Sequence, residues 1–192
     1  MKQKVAIFLS GAGSNARNIC SYFQNHSSIS VSLLLSNKET SGAKIIGVEF
    51  DIPFYIFNKE QFYHSDEMLN KLKEYQIDTV VLAGFLWLIP ENLLEVYPNH
   101  IINIHPALLP KYGGKGMYGK HVHEVVFANK EKESGITIHL CNEKYDEGRI
   151  LFQKSVAIDE HDTPETIQQK VLQLEHTYFP KTIEDFLINN HV

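Results

Sequence analysis

Short runs of apolar residues recur along the first half of the chain, separated by longer stretches in which apolar and polar residues mix. Near-continuous apolar runs are typical of strands covered on both faces of a sheet. They predict five strands, at Val5–Leu9, Val31–Leu35, Phe54–Phe57, Thr79–Ala83 and Ile101–Ile104. The mixed stretches predict three helices, at Asn15–Asn25, Ser41–Phe50 and Asn58–Tyr75. Alternating strands and helices imply right-handed crossovers, and therefore a doubly wound, mostly parallel α/β sheet.

The pattern changes after His105. Residues 108–120 are rich in Gly, Pro and Lys and predict a long loop, which in a compact domain usually has a function. The later elements are predicted as a helix at His121–Asn129, an antiparallel strand pair at Ile136–Cys141 and Ile150–Ile158, and a long C-terminal helix at Thr163–Asn189. Thr163 should cap that last helix, and Pro180 should kink or divide it.

The composition fits one globular domain covering residues 1–192. Of the 192 residues, 43% are hydrophobic and 21% are charged, which excludes wholesale disorder. A net charge of −5 argues against a general nucleic-acid binder, because such proteins need Lys and Arg at the phosphates. The longest apolar stretch, Val80–Pro90, is too short to span a membrane. Cys20 and Cys141 form no CxxC pair, so we expect a reducing cytoplasm and no disulfide framework.

A glycine-rich turn lies between the first predicted strand and the first predicted helix. Glycines let the backbone approach an anion, and the N–H groups at a helix N-terminus attract phosphate. The turn therefore predicts a phosphate site made by Gly11, Ala12, Gly13, Ser14 and Asn15. A bare strand–helix turn and a dinucleotide site are the alternatives. The dinucleotide site is disfavoured because the second strand ends in Ser36 and Asn37, without the acid that would bind the ribose.

Asn103 and His105 stand two residues apart at the end of a predicted strand, so their side chains share one face. An amide donor beside an imidazole can stabilise an oxyanion while the imidazole moves a proton. Asp146 lies in the acidic turn Tyr145–Gly148, and a carboxylate placed at His105 would raise the pKa of the imidazole. A buried polar pair that ends the strand, and an ordinary hairpin turn, are the alternatives.

Two further patterns suggest chemistry that we do not expect. Residues 114–121 nearly match a phosphate-binding P-loop, but His121 stands where that loop needs Ser or Thr. His121 and His123 have the spacing of a metal-binding pair, yet no further ligand lies at a suitable spacing nearby. We therefore expect neither an ATPase nor a metal site.

Several segments, in the right order and separation, resemble the phosphoribosylglycinamide formyltransferases, the folate-dependent formyltransferases of purine synthesis. The most specific segment is INIHPALLPKY at residues 102–112, which is similar to the catalytic segment of that family. Further similar segments lie at residues 7–15, 80–85, 135–139, 145–148 and 175–180. The resemblance covers almost the whole chain. It implies a Rossmann-like formyltransferase fold with a phosphate-binding N-terminal half and a folate-binding C-terminal half.

The resemblance implies formyl transfer from 10-formyltetrahydrofolate to the amine of glycinamide ribonucleotide, with no metal. Asn103 would donate to the formyl oxygen, and His105, held as imidazolium, would share the charge and assist proton movement. Asp146 would keep His105 charged. The substrate phosphate would be bound by residues 11–15, and the ribose hydroxyls by Glu175.

The same resemblance implies a folate site made from several segments of the chain. Its residues are Lys59, Leu86, Trp87, Leu88, Ile89, Asn103, Cys141 and Asn142. Trp87 stands where the family often has Arg, so the packing around it must differ. Lys59 is the counterpart of an Arg that meets the glutamate tail of the folate.

Three kinds of alternative function stay open. They are another formyl-group enzyme on the same scaffold, a non-catalytic folate- or nucleotide-binding module, and a nicotinamide-dependent dehydrogenase. Methionyl-tRNA formyltransferases normally add a nucleic-acid domain and a basic surface, and the net charge of this chain is −5. We expect two small-molecule substrates, neither nucleic acid nor membrane as a partner, and a cytoplasmic monomer or homodimer.

Overall fold

The computed structural model describes residues 2–189. The chain forms two compact units, with the boundary after Ile102. The expectation of one domain over residues 1–192 stays a prediction. No helix within the described residues is long and apolar enough to cross a membrane.

The first unit is built on a parallel sheet. Its strands are β1 (Gln3–Leu9), β2 (Ile29–Ser36), β3 (Phe54–Ile56) and β4 (Thr79–Leu82), in the order β3-β2-β1-β4. Val5 of β1 lies opposite Val31 of β2 and Thr79 of β4. Residues 5–9 have no exposed surface, which explains why β1 is apolar without alternation.

Helices connect these strands, and one prediction about them is wrong. The helices are α1 (Ser14–Phe23), α2 (Ala43–Phe50), α3 (Lys59–Tyr63), α4 (Glu67–Glu74) and α5 (Glu91–Val96). The single helix predicted at Asn58–Tyr75 is two helices, because the Ser65 hydroxyl bonds to the carbonyl of Gln61 where the first one ends. Asn58 starts α3 with a capping box that includes Gln61. Helix α5 was not predicted, and it begins directly after Pro90.

The second unit carries the later elements. Strand β5 (Ile101–His105) crosses the boundary, and α6 (Lys120–Ala128), β6 (Glu133–Leu140), β7 (Ile150–Ala157) and α7 (Pro164–Asn189) follow. Strands β6 and β7 are antiparallel, with Ile136 opposite Lys154. The predicted fold class, a doubly wound and mostly parallel sheet with a late antiparallel pair and a long last helix, is confirmed.

Helix α7 begins where the sequence predicted. The hydroxyl of Thr163 accepts a hydrogen bond from the N–H of Thr166 at 3.3 Å, as a cap does. The helix is not divided at Pro180, which lies inside it. Phe179 and Ile183 on either side of the proline are fully buried, so packing of the apolar face offsets the hydrogen bond that proline cannot make.

Candidate active site

The end of strand β5 places two polar side chains on one face. Asn103 is half-buried and His105 is buried, and the chain leaves the strand at Pro106. The hydroxyl of Thr137 in β6 fixes the exit, because it donates to the carbonyl of Ala107 at 2.7 Å and accepts from the N–H of Leu109 at 3.0 Å. The segment after His105 is therefore tied to β6 by hydrogen bonds.

The turn between β6 and β7 supplies the carboxylate. Asp146 has φ = 57°, a left-handed conformation that Asp tolerates better than most residues. Gly148 allows the chain to pass close to β6, since a Cβ there would lie 1.6 Å from the carbonyl oxygen of Leu140. The side chain of Asp146 is only 10% exposed, and it accepts a hydrogen bond from the N–H of Gly114 at 2.9 Å.

Asp146 belongs to a cluster of four polar side chains, in which it contacts two histidines. His105 Nδ1 lies 3.4 Å from Asp146 Oδ2, and His139 Nε2 lies 3.5 Å from Asp146 Oδ1. Asn103 Nδ2 lies 3.1 Å from His139 Nε2. The structure thus brings together the three residues that the sequence put forward as catalytic, with His139 between Asn103 and Asp146.

The charges of this cluster follow from burial. Burial lowers the pKa of His105 and outweighs the raising effects of the Asp146 charge and the Tyr112 carbonyl. The charge of Asp146 does raise the pKa of His105, as expected, but burial lowers it by more. The net effect therefore favours neutral imidazole and not the expected imidazolium. For Asp146, burial raises the pKa, but its contacts with His139, His105 and the N–H of Gly114 together lower it. Neutral imidazole beside a carboxylate anion is the favoured state.

His139 is a site residue that reasoning from the sequence missed. It is buried, and its Nδ1 lies 3.0 Å from the carbonyl oxygen of Leu140. A carbonyl only accepts, so Nδ1 carries the proton in the neutral ring and Nε2 accepts from the amide of Asn103. Strand alternation was the available signal, because Thr137 and His139 share the face of β6 that meets this site.

The glycine-rich turn has the local geometry of an anion site. Gly13 caps α1 with φ = 80°, and a Cβ there would lie 2.7 Å from methyl groups of Leu9 and Ile46. Gly11, Ala12 and Ser14 are exposed. The turn is held by the N–H of Gly42, which donates to the carbonyl of Gly11 at 2.9 Å. The open N-terminus of α1 suits an anion such as phosphate.

The segment Leu86–Ile89, expected at the pterin, follows β4. The N–H of Leu86 donates to the hydroxyl of Ser10 at 3.1 Å, and the carbonyl of Leu88 accepts from the hydroxyl of Tyr63 at 3.1 Å. These two hydrogen bonds fix the segment. They also engage the Leu86 N–H and the Leu88 carbonyl, which are two of the backbone groups expected to face the pterin.

Trp87 belongs to an aromatic cluster, which explains how this residue is accommodated in place of Arg. Its ring stacks on Tyr63 with centroids 5.8 Å apart and lies 5.6 Å from Phe62. The ammonium of Lys59 lies 6.0 Å from the centroid of the Trp87 ring, which is the outer limit of a cation–π contact. Two residues expected at the folate, Lys59 and Trp87, are therefore neighbours.

Three further expected residues lie in the second unit. Cys141 is half-buried, and burial followed by the charge of Asp146 raises the pKa of its thiol to about 12. Asn142 is exposed, and its side-chain oxygen accepts from the N–H of Lys144 at 3.0 Å. Glu175 is buried in α7. Because its pKa is raised, the thiol of Cys141 stays protonated and acts as a small polarizable group.

The two histidines that suggested a metal pair have different surroundings. His121 is exposed and its Nδ1 lies 3.7 Å from Glu124, whereas His123 is buried. Across residues 2–189 no group of three or more His, Cys, Asp or Glu side chains is arranged to hold a metal ion.

Known proteins share both the sequence and the fold. A family model described as Formyl transferase matches residues 3–183. A Bacillus subtilis protein named phosphoribosylglycinamide formyltransferase is 36% identical over 98% of this chain and 97% of its own. The solved structure of the Bacillus halodurans enzyme of that name has a TM-score of 0.87 at 35% identity, covering 97% of this chain and 96% of the other.

Plant relatives are longer. The Arabidopsis thaliana phosphoribosylglycinamide formyltransferase, a chloroplastic protein, is 42% identical over 95% of this chain. The chain spans 64% of the length of that protein and 60% of the length of its Vigna unguiculata counterpart.

Proposed function

We propose, because this chain belongs to the formyl transferase family, that it transfers the formyl group of 10-formyltetrahydrofolate to the primary amine of glycinamide ribonucleotide. The products are formylglycinamide ribonucleotide and tetrahydrofolate, a step of de novo purine (IMP) biosynthesis. One observation carries the proposal: the Asp146 carboxylate lies 3.4 Å from His105 and 3.5 Å from His139, and His139 lies 3.1 Å from the amide of Asn103.

His105 is the group that takes the proton of the attacking amine. Its pKa is lowered by burial, so the ring is neutral and can accept. Its Nδ1 faces Asp146, so the proton taken up is held between the imidazole and the carboxylate. The Asp146 anion stabilises the imidazolium that forms on proton uptake.

Asn103 stabilises the oxygen that becomes negative when the amine attacks the formyl carbon. The amide nitrogen carries two hydrogens, and one of them is directed at His139 Nε2, 3.1 Å away. The second hydrogen is the donor for the developing oxyanion. Loss of one such donor costs about 3 kcal/mol of transition-state stabilisation, a rate factor of roughly a hundred to a thousand.

Substrate binding is assigned by the same family resemblance. In the first unit, residues 11–15 bind the phosphate of the ribonucleotide, Leu86–Ile89 bind the pterin, and Lys59 binds the glutamate tail. In the second unit, Glu175 binds the ribose hydroxyls, and Cys141 and Asn142 flank the pterin. The turn at residues 11–15 supports its role through the exposed N-terminus of α1.

The expected setting is the cytoplasm, with the two small-molecule substrates as partners and the chain as a monomer or homodimer. Cys20 and Cys141 are free thiols, which suits a reducing compartment. Cell fractionation checks the compartment, and analytical ultracentrifugation distinguishes a monomer from a homodimer.

The experiment is a turnover assay that follows folate absorbance with both substrates present. Asp146→Asn should lower kcat by about a hundredfold, because the imidazolium loses its counter-charge. It should also move the acid limb of the kcat/KM profile to lower pH, since the Asp146 charge raises the pKa of His105. Asp185→Asn, at an exposed position of α7, is the matched control and should keep wild-type activity.

Each other outcome counts against a defined part of the proposal. Wild-type activity in Asp146→Asn removes Asp146 from the mechanism. Binding of both substrates without turnover supports a non-catalytic module instead. Release of tetrahydrofolate when the ribonucleotide is left out indicates water as the acceptor, and therefore a deformylase.

A further inference from the structure

Tyr112 has a backbone conformation that a tyrosine rarely adopts. It lies in the loop between β5 and α6, and its φ is 58°, in the left-handed region. A bulky residue stays there only when its surroundings hold it. The structure shows contacts at both ends of this residue, one set on the side chain and one on the carbonyl.

The side chain is held at the C-terminal end of α6. The hydroxyl of Tyr112 donates to Glu131 Oε1 at 2.7 Å and accepts from Asn129 Nδ2 at 3.2 Å. The same carboxylate oxygen accepts from the ammonium of Lys111 at 3.0 Å. The hydroxyl therefore has one acceptor and one donor as partners, which fixes the ring.

The carbonyl of Tyr112 lies at the imidazole of the site. His105 Nε2 is 2.7 Å from this oxygen. A carbonyl oxygen has no hydrogen to give, so Nε2 must carry the hydrogen of that bond. Neutral imidazole carries a single N–H, and the other nitrogen, Nδ1, is then the one with a lone pair.

We propose that Tyr112 is a positioning residue that fixes His105 as the tautomer protonated at Nε2, so that Nδ1, the nitrogen facing Asp146, is the proton acceptor. The proposal rests on the proposed role of His105 as a base. Glu131 and Asn129 hold the hydroxyl, the left-handed backbone turns the carbonyl toward the ring, and the carbonyl selects the tautomer. The opposite tautomer would place an N–H at Nδ1 and a lone pair against a lone pair at Nε2.

Other groups also act on His105 within the second unit. Asp146 from the β6–β7 turn raises its pKa, and His139 from β6 lowers it. His123 from α6 is close enough to interact electrostatically with it. Asp146 also acts on the tautomer, because its carboxylate lies 3.4 Å from Nδ1 and favours a proton there, whereas the Tyr112 carbonyl lies closer to Nε2, at 2.7 Å. A tautomer measurement therefore shows directly which of these two contacts dominates.

The test is nitrogen-15 NMR of the histidine rings in the labelled full-length protein without substrates, above neutral pH. The His105 signals are identified by their loss in His105→Gln. We expect the wild type to show protonated Nε2 and unprotonated Nδ1. Tyr112→Phe, which loses both hydroxyl bonds, should show a mixture of tautomers and a kcat about tenfold lower, with both KM values within about twofold of wild type.

Two further variants separate this role from general damage to the loop. Tyr118→Phe removes a hydroxyl from an exposed tyrosine of the same loop and should match wild type in tautomer and in kcat. Glu131→Gln keeps an oxygen acceptor and should retain the wild-type tautomer, whereas Glu131→Ala should reproduce the mixture even if Tyr112→Phe does not fold.

The proposal is overturned if wild-type His105 carries its proton on Nδ1. It is equally overturned if Tyr112→Phe and Glu131→Ala both keep a single Nε2–H tautomer. Because the spectra need no substrate, they give the same answer whether or not the proposed reaction occurs. A failed turnover assay with the expected tautomer would reject the proposed function alone.

Discussion

His123 makes the stability of this protein depend on pH in a defined window. It lies in the first turns of α6, is 3% exposed, and its Nδ1 is buried with no hydrogen-bond partner among the described residues. Burial, followed by the charge of His105, lowers its pKa from 6.5 to about 4. The folded chain therefore resists a proton that the unfolded chain accepts, and stability falls as the pH drops from about 6.5 toward about 4.

The magnitude follows from the difference between the two pKa values. One pKa unit corresponds to about 1.4 kcal/mol, so the fall from 6.5 to about 4 amounts to roughly 3 kcal/mol when the transition is complete. Between about pH 7.5 and about pH 5 only part of it is lost, about 2 kcal/mol. That is a large fraction of the stability of an ordinary domain, which is about 5–15 kcal/mol.

The assay is urea unfolding of the wild type and of His123→Leu at both pH values. The variant has no group to protonate, so its free energy of unfolding should fall by about 2 kcal/mol less than that of the wild type. The matched control is His161→Gln, whose side chain is 88% exposed, and it should follow the wild type. Equal losses in the wild type and His123→Leu would refute the reasoning, whatever the absolute stability of the variant.

Two other predictions concern the glycine-rich turn and His139. Gly13→Ala should lower the free energy of unfolding by about 1–3 kcal/mol, because alanine is strained at φ = 80° and its Cβ would lie 2.7 Å from Leu9 and Ile46. Gly11→Ala, with no atom within 4 Å of the added Cβ, should change it by less than about 0.5 kcal/mol, and similar losses in both variants would contradict this account. His139→Leu should lower kcat about tenfold, because the Asn103 amide loses its partner, and His139→Gln should recover part of that loss. Steady-state kinetics test this, and an unchanged kcat in His139→Leu would show that Asn103 needs no such partner.

The strands could be predicted from the sequence because a strand that is buried on both faces consists almost entirely of apolar residues, as at Val5–Leu9. The boundaries of Asn58–Tyr75 could not, because a side-chain hydrogen bond from Ser65 divides a segment whose periodicity looks continuous. Pro180 shows the opposite case, in which tertiary packing outweighs a local preference.

Three members of the site could be predicted from the sequence, but His139 and the protonation of the cluster could not. Asn103 and His105 follow from strand alternation, whereas the acidic turn alone left Asp146 open to the interpretation of an ordinary hairpin, and the family resemblance favoured the catalytic role. The lowered pKa of His105 depends on how deeply the ring is buried, which no spacing of residues records. The contact of His105 with the Tyr112 carbonyl likewise depends on one left-handed residue, and tyrosine gives no sign of that conformation in a sequence.

Trp87 is the only tryptophan of the chain, and it lies in the segment Leu86–Ile89. Indole emission from this protein therefore has a single origin, beside the Lys59 ammonium and the Tyr63 ring. Binding of a pterin there would change the intrinsic tryptophan fluorescence, which can be measured at equilibrium and without an attached dye. Such a signal reports occupancy alone, so a change in emission without turnover would identify a ligand that is bound but not converted.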